Sequence, residues 1–364
     1  MRSRLVIIIA LLIVAACLGY FRRSMYEMNT NTGCPPCKDA NDWLDGWYPL
    51  NLEDICVVRY HTSGPGTDPF NTTNPTQNNE RSGFYSLGYV PLAIVNGAYA
   101  LSQAGTYTPL EIEMYPIDSG VCAVEIKCED GSYDDSLSFM IVLNEDSIYY
   151  AAANGQTHFY QTMRYMLPDA DGELIHIDGD TTIVMEVDFR DYITYTSDFH
   201  NCWYTALLQD FTHPQNEVVQ CNKVATDDLL DYYHRVRAER VRELVAPDDT
   251  VSFDFSVLNY GQNDDQYDVW FEEDVPAGWY VAVRSGGSPF DSSRIGVTST
   301  EEHSFELIMS PVGDVGFGDV NLFISPVDDP DGGIDTVLFR AYSGGDLLLI
   351  SSAAAKNAIP YYED

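Results

Sequence analysis

Basic residues are scarce in this chain of 364 residues. Lys and Arg together number 19, against 56 Asp and Glu, and the formal net charge is -37. A surface of that charge repels phosphate backbones, so we expect no nucleic-acid partner. The acidic excess indicates either a strongly hydrated surface or acidic loops that bind calcium, such as residues 328–332. We favour the hydrated surface.

Several enzyme motifs are also missing. The sequence contains neither the nucleophile elbow of a serine hydrolase nor a Gly-rich phosphate-binding loop. Acidic pairs of the glycosidase kind are too common in this chain to carry information. These patterns predict no cofactor and no metal site.

One unbroken apolar run stands at the N-terminus. It covers residues 5–16, follows two arginines, and is too short to span a membrane comfortably but typical of an export signal. Small residues precede Cys17, as in a bacterial lipobox, so residues 1–17 are predicted to be a signal with lipidation at Cys17. The alternatives are an ordinary cut near Ala16 and an uncleaved anchor reaching Phe21. All three place the body in the cell envelope, outside the cytoplasm, and we favour an outer-membrane lipoprotein or a periplasmic protein.

Seven further cysteines would meet an oxidising compartment, where disulfides persist. Cys202 and Cys221 lie symmetrically about a turn near residues 211–212. They are therefore predicted to form a structural disulfide across a hairpin. The pairing of three others is left open: Cys56, Cys122 and Cys128. Because the number is odd, at least one thiol is free or pairs between chains.

The motif Cys34-Pro35-Pro36-Cys37 carries the chemistry. Strand-like residues precede it, and apolar residues at one-face helical spacing follow it as far as Trp47, so it is predicted to begin a helix. Free N–H groups at a helix start favour a thiolate, and in such motifs the thiol pKa falls from about 8.5 to roughly 3.5–7. Cys34 is the predicted nucleophile and Cys37 the predicted resolving thiol.

A second feature lies some fifty residues later, at Val90-Pro91. A cis-proline before a strand, beside a dithiol, presents backbone to extended peptides, so Val90 and Pro91 are predicted to bind substrate. The order strand, dithiol helix, strand, helix, strand predicts a parallel-containing sheet. The dithiol motif with Pro91 resembles thioredoxin-fold proteins of the bacterial envelope, and this resemblance implies a thioredoxin-like α/β domain over residues 21–107.

The rest of the chain is β-rich in pattern. Short strand candidates separated by turns predict an immunoglobulin-like β-sandwich over residues 108–225. Residues 226–245 have apolar residues at roughly helical spacing and are predicted to be a helical linker. A second, acidic immunoglobulin-like sandwich is predicted over residues 246–352. The fold class expected is thus multidomain, α/β plus all-β.

The chain also resembles the family related to the twenty-eight-kilodalton outer membrane protein. The resemblance covers residues 22–225 and rests on the following order of motifs: Thr32-Gly33-Cys34, Tyr60-His61, Asp68-Pro69-Phe70, Arg81, Tyr85, Gly88, residues 91–97, Glu145-Asp146, Asn154-Gly155-Gln156, Arg164 and Leu207-Leu208-Gln209-Asp210. It implies an envelope location and a thioredoxin-like domain joined to a β-domain. It implies no particular substrate.

Two residues depart from the thioredoxin pattern. Gly33 stands where thioredoxins usually have Trp, and Met28 stands where many have a buried acid. Glu27 is adjacent, but successive side chains of a strand point to opposite faces, so we expect Glu27 to point away from the dithiol helix.

These observations predict an exported, membrane-anchored thiol–disulfide oxidoreductase whose partners are protein thiols and disulfides of the envelope. A surface binding or scaffold protein is the first alternative, in which Cys34–Cys37 is only a structural disulfide. A metal-handling protein that uses Cys34, Cys37 and His61 is the second.

Overall fold

The computed structural model describes residues 19–86, 88–97, 107–212, 216–238, 240–329 and 332–344. The chain forms two compact units, unit 1 over residues 1–229 and unit 2 over residues 230–364. The predicted export signal at 1–17 and the predicted lipidation site Cys17 lie outside the described residues. Within the described ranges, no helix has the length and apolar character needed to cross a membrane.

Strands are the main secondary structure of unit 1. In the described part they are β1 (Tyr20–Phe21), β2 (Ser24–Thr30), β3 (Ile55–His61), β4 (Leu92–Val95), β5 (Tyr107–Thr108), β6 (Leu110–Asp118), β7 (Val121–Cys128), β8 (Asp134–Glu145), β9 (Ile148–Tyr149), β10 (His158–Phe159), β11 (Thr162–Leu167), β12 (Glu173–Asp178), β13 (Thr181–Asp188), β14 (Cys202–Asp210) and β15 (Glu217–Ala225). The α-helices are α1 (Pro35–Trp47), α2 (Pro69–Thr73) and α3 (Pro75–Phe84), and short 3-10 turns cover Tyr48–Leu50, Arg190–Tyr195 and Phe199–Asn201.

Eight strands of unit 1 form one mixed sheet. Its order is β15-β14-β8-β11-β3-β2-β4, and β12 pairs with β8 outside that path. β2 and β3 are parallel, as are β3 and β11, whereas β4 runs antiparallel to β2. The dithiol helix α1 connects the parallel strands β2 and β3.

The prediction of a separate thioredoxin-like α/β domain followed by an immunoglobulin-like sandwich is wrong. Strands from both predicted domains share the eight-stranded sheet, where Thr162 of β11 pairs with Arg59 of β3. The Arg59 N–H also donates to the Gln161 carbonyl at 2.8 Å. An unpaired strand edge needs a partner, and β11 covers the edge of β3 that a separate domain would expose. The predicted boundary at residues 107 and 108 therefore lies within unit 1.

The eight-stranded sheet curls until its two ends approach each other. The Val218 N–H in β15 donates to the Asn96 carbonyl just after β4 at 3.1 Å, and Arg22 donates to the Val218 carbonyl. The apolar side chains inside the curl form one buried cluster, which we call the inner core: Met25, Cys56, Val58, Tyr60, Met140, Val142, Met163, Met166, Ala170, Leu207, Val218 and Cys221. β6, β7 and β13 form a further sheet, which packs on the opposite face of β8 and β14.

Helix α1 begins as the sequence pattern predicts. Cys34 is its N-cap, and Pro35 and Pro36 occupy the first positions, where a helix has no internal partner for the backbone N–H. Leu44 is the buried centre of its apolar face, which packs on Met28 and other residues of β2 and β3. This packing fixes the helix, and hence the dithiol, against the sheet.

Unit 2 consists of two five-stranded sheets around one apolar core. Its strands in the described part are β16 (His234–Ala238), β17 (Arg242–Val245), β18 (Val251–Asn259), β19 (Asp265–Asp274), β20 (Tyr280–Ser285), β21 (Ser288–Phe290), β22 (Ser292–Val297), β23 (Glu302–Ser310), β24 (Gly316–Pro326) and β25 (Asp335–Ser343). The sheet orders are β16-β18-β23-β20-β21 and β17-β25-β24-β19-β22.

The predicted helix over residues 226–245 is wrong, because β16 and β17 occupy that segment. Val236 and Ala238 pack against the core of unit 2, while Arg235 and Arg237 alternate with them. Apolar residues two apart line one face of a strand, and the same spacing also fits loosely within a helical pattern. The segment is extended and not helical, because β16 pairs with β18 and β17 pairs with β25.

Candidate functional site: the Cys34–Cys37 dithiol

The two cysteines of the motif form a disulfide, with a Cα–Cα distance of 5.3 Å. The Cys34 Sγ accepts a hydrogen bond from the Cys37 N–H at 3.2 Å. Both residues are buried, with exposed fractions of 2% and 0%. A backbone N–H directed at Sγ stabilises a thiolate there once the bond is reduced, as a helix start does in general.

The Val90-Pro91 segment lies beside this disulfide. The Cys34 Sγ is 3.7 Å from the Val90 carbonyl oxygen, and the Val90–Pro91 peptide bond is cis. Gly88 and Tyr89, just before it, are exposed. The structure thus brings the predicted catalytic residues Cys34 and Cys37 together with the predicted substrate-binding residues.

A buried acid holds the loop before the dithiol. The Thr32 N–H donates to the Asp68 Oδ2 at 2.7 Å, and the same oxygen lies 2.9 Å from the His61 Nδ1. The other Asp68 oxygen caps helix α2 by accepting from the Phe70 N–H at 2.9 Å. Burial alone would raise the pKa of the Asp68 carboxyl, but His61 and the Thr32 N–H outweigh it, and the pKa is lowered.

A loop from beyond the predicted domain boundary also holds the dithiol segment. The Asn154 N–H donates to the Thr32 carbonyl at 3.0 Å, and the Asn154 amide donates to the Cys34 carbonyl at 3.1 Å. Next to it, Gln156 accepts from the Asn41 amide on α1 at 2.9 Å. The sequence analysis noted Asn154-Gly155-Gln156 only as part of a resemblance and assigned it no role at the dithiol.

Gly33 departs from the thioredoxin pattern for a steric reason. A Cβ at this position would overlap the Pro65 carbonyl oxygen, and the Asn31 Oδ1 would lie 3.1 Å from it. The loop between β3 and α2 therefore covers the position where thioredoxins usually have Trp. No side chain fits there without movement of this loop.

Glu27 lies on the face of β2 opposite Met28. Met28 packs with Leu44 of α1, whereas Glu27 accepts a hydrogen bond from the Arg81 Nε at 2.7 Å inside the curl. Arg81 also donates to the Gln209 Oε1 at 2.9 Å. We call Glu27, Arg81, Tyr85 and Gln209 the polar cluster. Burial raises the pKa of Tyr85, whose hydroxyl donates to Glu27 at 2.5 Å.

The predicted disulfide between Cys202 and Cys221 is not formed, and both thiols are free and buried. Cys221 lies opposite Leu207 in the register of β14 and β15, and the turn follows Asp210 rather than centring on residues 211–212. Cys202 packs in the cluster on the far face of β14, away from the inner core that contains Cys221. The two side chains therefore lie on opposite faces of the sheet.

The described residues contain no group of three His, Cys, Asp or Glu side chains arranged to hold a metal ion. His61, proposed as a distant ligand in the metal-handling alternative, is buried and paired with Asp68. Part of the acidic segment 328–332 lies outside the described residues.

No family model and no curated protein matches this chain. Among solved structures, HBP35 of Porphyromonas gingivalis is 10% identical, with 88% of this chain and 98% of that chain covered and a TM-score of 0.48. Escherichia coli alpha-2-macroglobulin activated by porcine elastase is 10% identical, with coverage of 69% and 24% and a TM-score of 0.24. Red sea bream transglutaminase is 13% identical, with coverage of 66% and 32% and a TM-score of 0.20. These similarities establish neither a family nor a function.

Proposed function

We propose that this protein is a thiol–disulfide oxidoreductase whose active dithiol is Cys34–Cys37. The observation that carries the proposal is the hydrogen bond from the Cys37 N–H to the Cys34 Sγ at the start of α1. It favours Cys34 as the thiolate of the reduced pair, because backbone N–H donors and the helix dipole both stabilise negative charge there.

The reaction is two successive thiol–disulfide exchanges. The Cys34 thiolate attacks one sulfur of a substrate disulfide, which forms a mixed disulfide and releases one substrate thiolate. The Cys37 thiolate then attacks the Cys34 sulfur and releases the second substrate thiolate. Cys34–Cys37 is left oxidised and the substrate reduced by two electrons, and the reverse sequence oxidises a substrate dithiol.

Protein disulfides or dithiols are the substrate class that fits this site. The Val90 carbonyl lies next to the Cys34 sulfur and is a backbone acceptor for an extended segment. Tyr89 is 68% exposed beside it and offers an aromatic contact surface. A substrate chain that lies along residues 88–90 would bring its sulfur towards Cys34.

An envelope location and membership of the family related to the twenty-eight-kilodalton outer membrane protein belong to the same proposal. The residues that carry the resemblance support it, because several of them meet around the dithiol or in the polar cluster: Thr32, His61, Asp68, Arg81, Tyr85, Asn154, Gln156 and Gln209. The N-terminal export pattern and Cys17 support attachment to a membrane by a lipid.

The proposal is tested by the reduction potential of the pair and by turnover. The full chain is equilibrated against glutathione buffers, and the oxidised fraction is read by alkylation and mass spectrometry. We expect a potential between about -270 and -120 mV, where working oxidoreductases lie. With insulin and dithiothreitol, we expect Cys34→Ser to lose essentially all of the catalysed reduction of insulin disulfides.

Cys122→Ser is the matched control. Cys122 is a buried free thiol in the cluster between the sheet of β6, β7 and β13 and strands β8 and β14. Its turnover should equal that of the unaltered chain. A potential below about -300 mV, together with insulin reduction no faster than in Cys34→Ser, would mean a structural disulfide. The binding-scaffold alternative would then replace the oxidoreductase.

A further inference from the structure

A second pair of thiols lies inside unit 1, away from the dithiol of α1. Cys56 belongs to β3 and Cys221 to β15, and both are free, buried members of the inner core. The Cys221 Sγ is 3.5 Å from the Arg23 carbonyl oxygen, just before β2, and Cys56 pairs with Met25 of β2 in the sheet register. The curl of the sheet thus brings the two cysteines to the same end of β2.

The two thiols lie in one buried cluster and influence each other's ionisation. The hydrogen bond from Cys221 is the largest influence on Cys56 and, with the nearby charge of Lys223, lowers the pKa of Cys56. Burial raises the pKa of Cys221 well above its ordinary value. The arrangement therefore favours a thiolate on Cys56 and a protonated thiol on Cys221.

Lys223 is held beside Cys56 by hydrogen bonds. Its Nζ donates to the Ile55 carbonyl at 3.0 Å and to the Tyr48 hydroxyl at 2.5 Å. This lysine is half-buried in unit 1, so its charge is screened less than at the surface, while burial also lowers its pKa. A fixed cation next to a cysteine is the environment in which thiols become reactive.

A cavity of about 360 Å³ adjoins Cys221. Cys221 is part of its wall, together with the polar side chains of Arg23, Gln220 and Asn222 and the ring of Tyr20. The polar wall is suited to a small, polar reactant. The cavity thus brings a small reactant next to Cys221, which is itself 1% exposed.

We propose that Cys56 and Cys221 are a second redox pair, which hydrogen peroxide converts to an intramolecular disulfide. The Cys56 thiolate attacks one peroxide oxygen, and the O–O bond breaks to give a sulfenic acid on Cys56 and hydroxide. The Cys221 sulfur then attacks the sulfenic sulfur, the S–O bond breaks, and the Cys221 proton leaves with the oxygen as water. Two thiol sulfurs are oxidised and both peroxide oxygens are reduced.

The test is disulfide mapping of the full chain after treatment with hydrogen peroxide. Free thiols are alkylated, the protein is digested without reductant, and cross-linked peptides are identified by mass spectrometry. We expect a peptide that joins Cys56 to Cys221, lost after dithiothreitol and absent without peroxide. Persistence of both cysteines as alkylated thiols, at peroxide doses that oxidise exposed methionines, would overturn the proposal.

The order of attack is tested by trapping sulfenic acid with dimedone. Cys221→Ser removes the resolving thiol, so the dimedone adduct should accumulate on Cys56, whereas Cys56→Ser should give no adduct on Cys221. An adduct on Cys221 in the Cys56→Ser variant would contradict the assigned order. Cys122→Ser is the matched control and should keep the cross-link, because burial raises the pKa of Cys122 to about 12 and it belongs to another cluster.

The proposal for Cys56 and Cys221 can be tested independently of the oxidoreductase proposal. The double variant Cys34→Ser/Cys37→Ser lacks the dithiol of α1 and should still form the Cys56–Cys221 cross-link with peroxide. Conversely, Cys56→Ser/Cys221→Ser should still reduce insulin. Loss of the cross-link in the first double variant, with its secondary structure retained, would mean that the α1 dithiol drives the oxidation and would overturn the direct reaction with peroxide.

Discussion

The interiors of the two units are held together by different means. In unit 1, the curled sheet encloses Glu27 and Arg81, both fully buried and joined to each other. In unit 2, the cluster between the two sheets is apolar, with side chains such as Phe253, Leu307 and Phe339 at its centre. Apolar packing tolerates exchange among side chains of similar volume, whereas a buried ion pair needs each partner in place.

The difference bears on where chemistry is found. The polar contacts of unit 1 link α1, α3 and the loops around the dithiol to strands that are far apart in sequence, so the dithiol has several fixed supports. Buried polar contacts of this kind specify one arrangement, because any other arrangement leaves a donor or acceptor without a partner. In the described part of unit 2, the two sheets enclose an apolar core.

Removal of the buried arginine should have the largest effect. Arg81→Met leaves the Glu27 carboxylate buried without its ion-pair partner, and we expect unit 1 to lose roughly 3–5 kcal/mol of unfolding free energy. The loss is measured by urea unfolding, followed by hydrogen–deuterium exchange of peptides that cover β2 and β3. Peptides from unit 2 report in the same experiment whether the loss is confined to unit 1.

Arg340→Met is the matched control in unit 2. Arg340 forms an ion pair with Asp319 at 2.7 Å, as Arg81 does with Glu27, but its side chain is 43% exposed. Exposed pairs contribute less than about 1 kcal/mol, so this variant should be close to the unaltered chain. Equal losses of unfolding free energy in the two variants would show that the buried ion pair of unit 1 contributes no more than the exposed pair of unit 2.

A smaller effect is expected at the loop that supports the dithiol. Asn154→Ala removes the amide that donates to the Cys34 carbonyl, and we expect a loss of about 1–2 kcal/mol with faster reduction of Cys34–Cys37 by dithiothreitol. Asn201→Ala is the control, because Asn201 is an exposed amide of unit 1 that donates to Asp198. An unchanged rate of reduction in Asn154→Ala would mean that this loop does not restrain the dithiol.

Local patterns in the sequence predicted the local structure around the dithiol. Pro35 and Pro36 after Cys34 predicted the helix start, and the alternation of β2 predicted that Glu27 points away from α1. These features depend on neighbours in sequence, where propensity and capping act. The loop at Asn154, by contrast, meets Cys34 only because β11 joins β3 in one sheet.

Long-range pairing explains the wrong predictions. The expected hairpin register put Cys202 opposite Cys221, but the register depends on where the turn lies, and one residue of slip moves a side chain to the other face. Cys56 and Cys221 are far apart in sequence, and no spacing rule joins them. Likewise, the prediction of a domain over residues 21–107 rested on local patterns, whereas the pairing of β11 with β3 joins those residues to the strands that follow.

We expect the smallest effect at Asp68, whose contribution to the stability of unit 1 depends on pH. The folded-state pKa of Asp68 is lowered from its ordinary value of 3.8, so its carboxylate stabilises unit 1 fully above about pH 4. That contribution is lost as the pH falls below 3.8 through the folded-state pKa, because the carboxyl is then protonated in both states. We therefore expect Asp68→Asn to have a lower urea midpoint than the unaltered chain at pH 6, with the gap narrowing towards pH 2. A constant gap across this range would show that Asp68 acts only through its shape and hydrogen bonds, and that its charge does not support the dithiol loop.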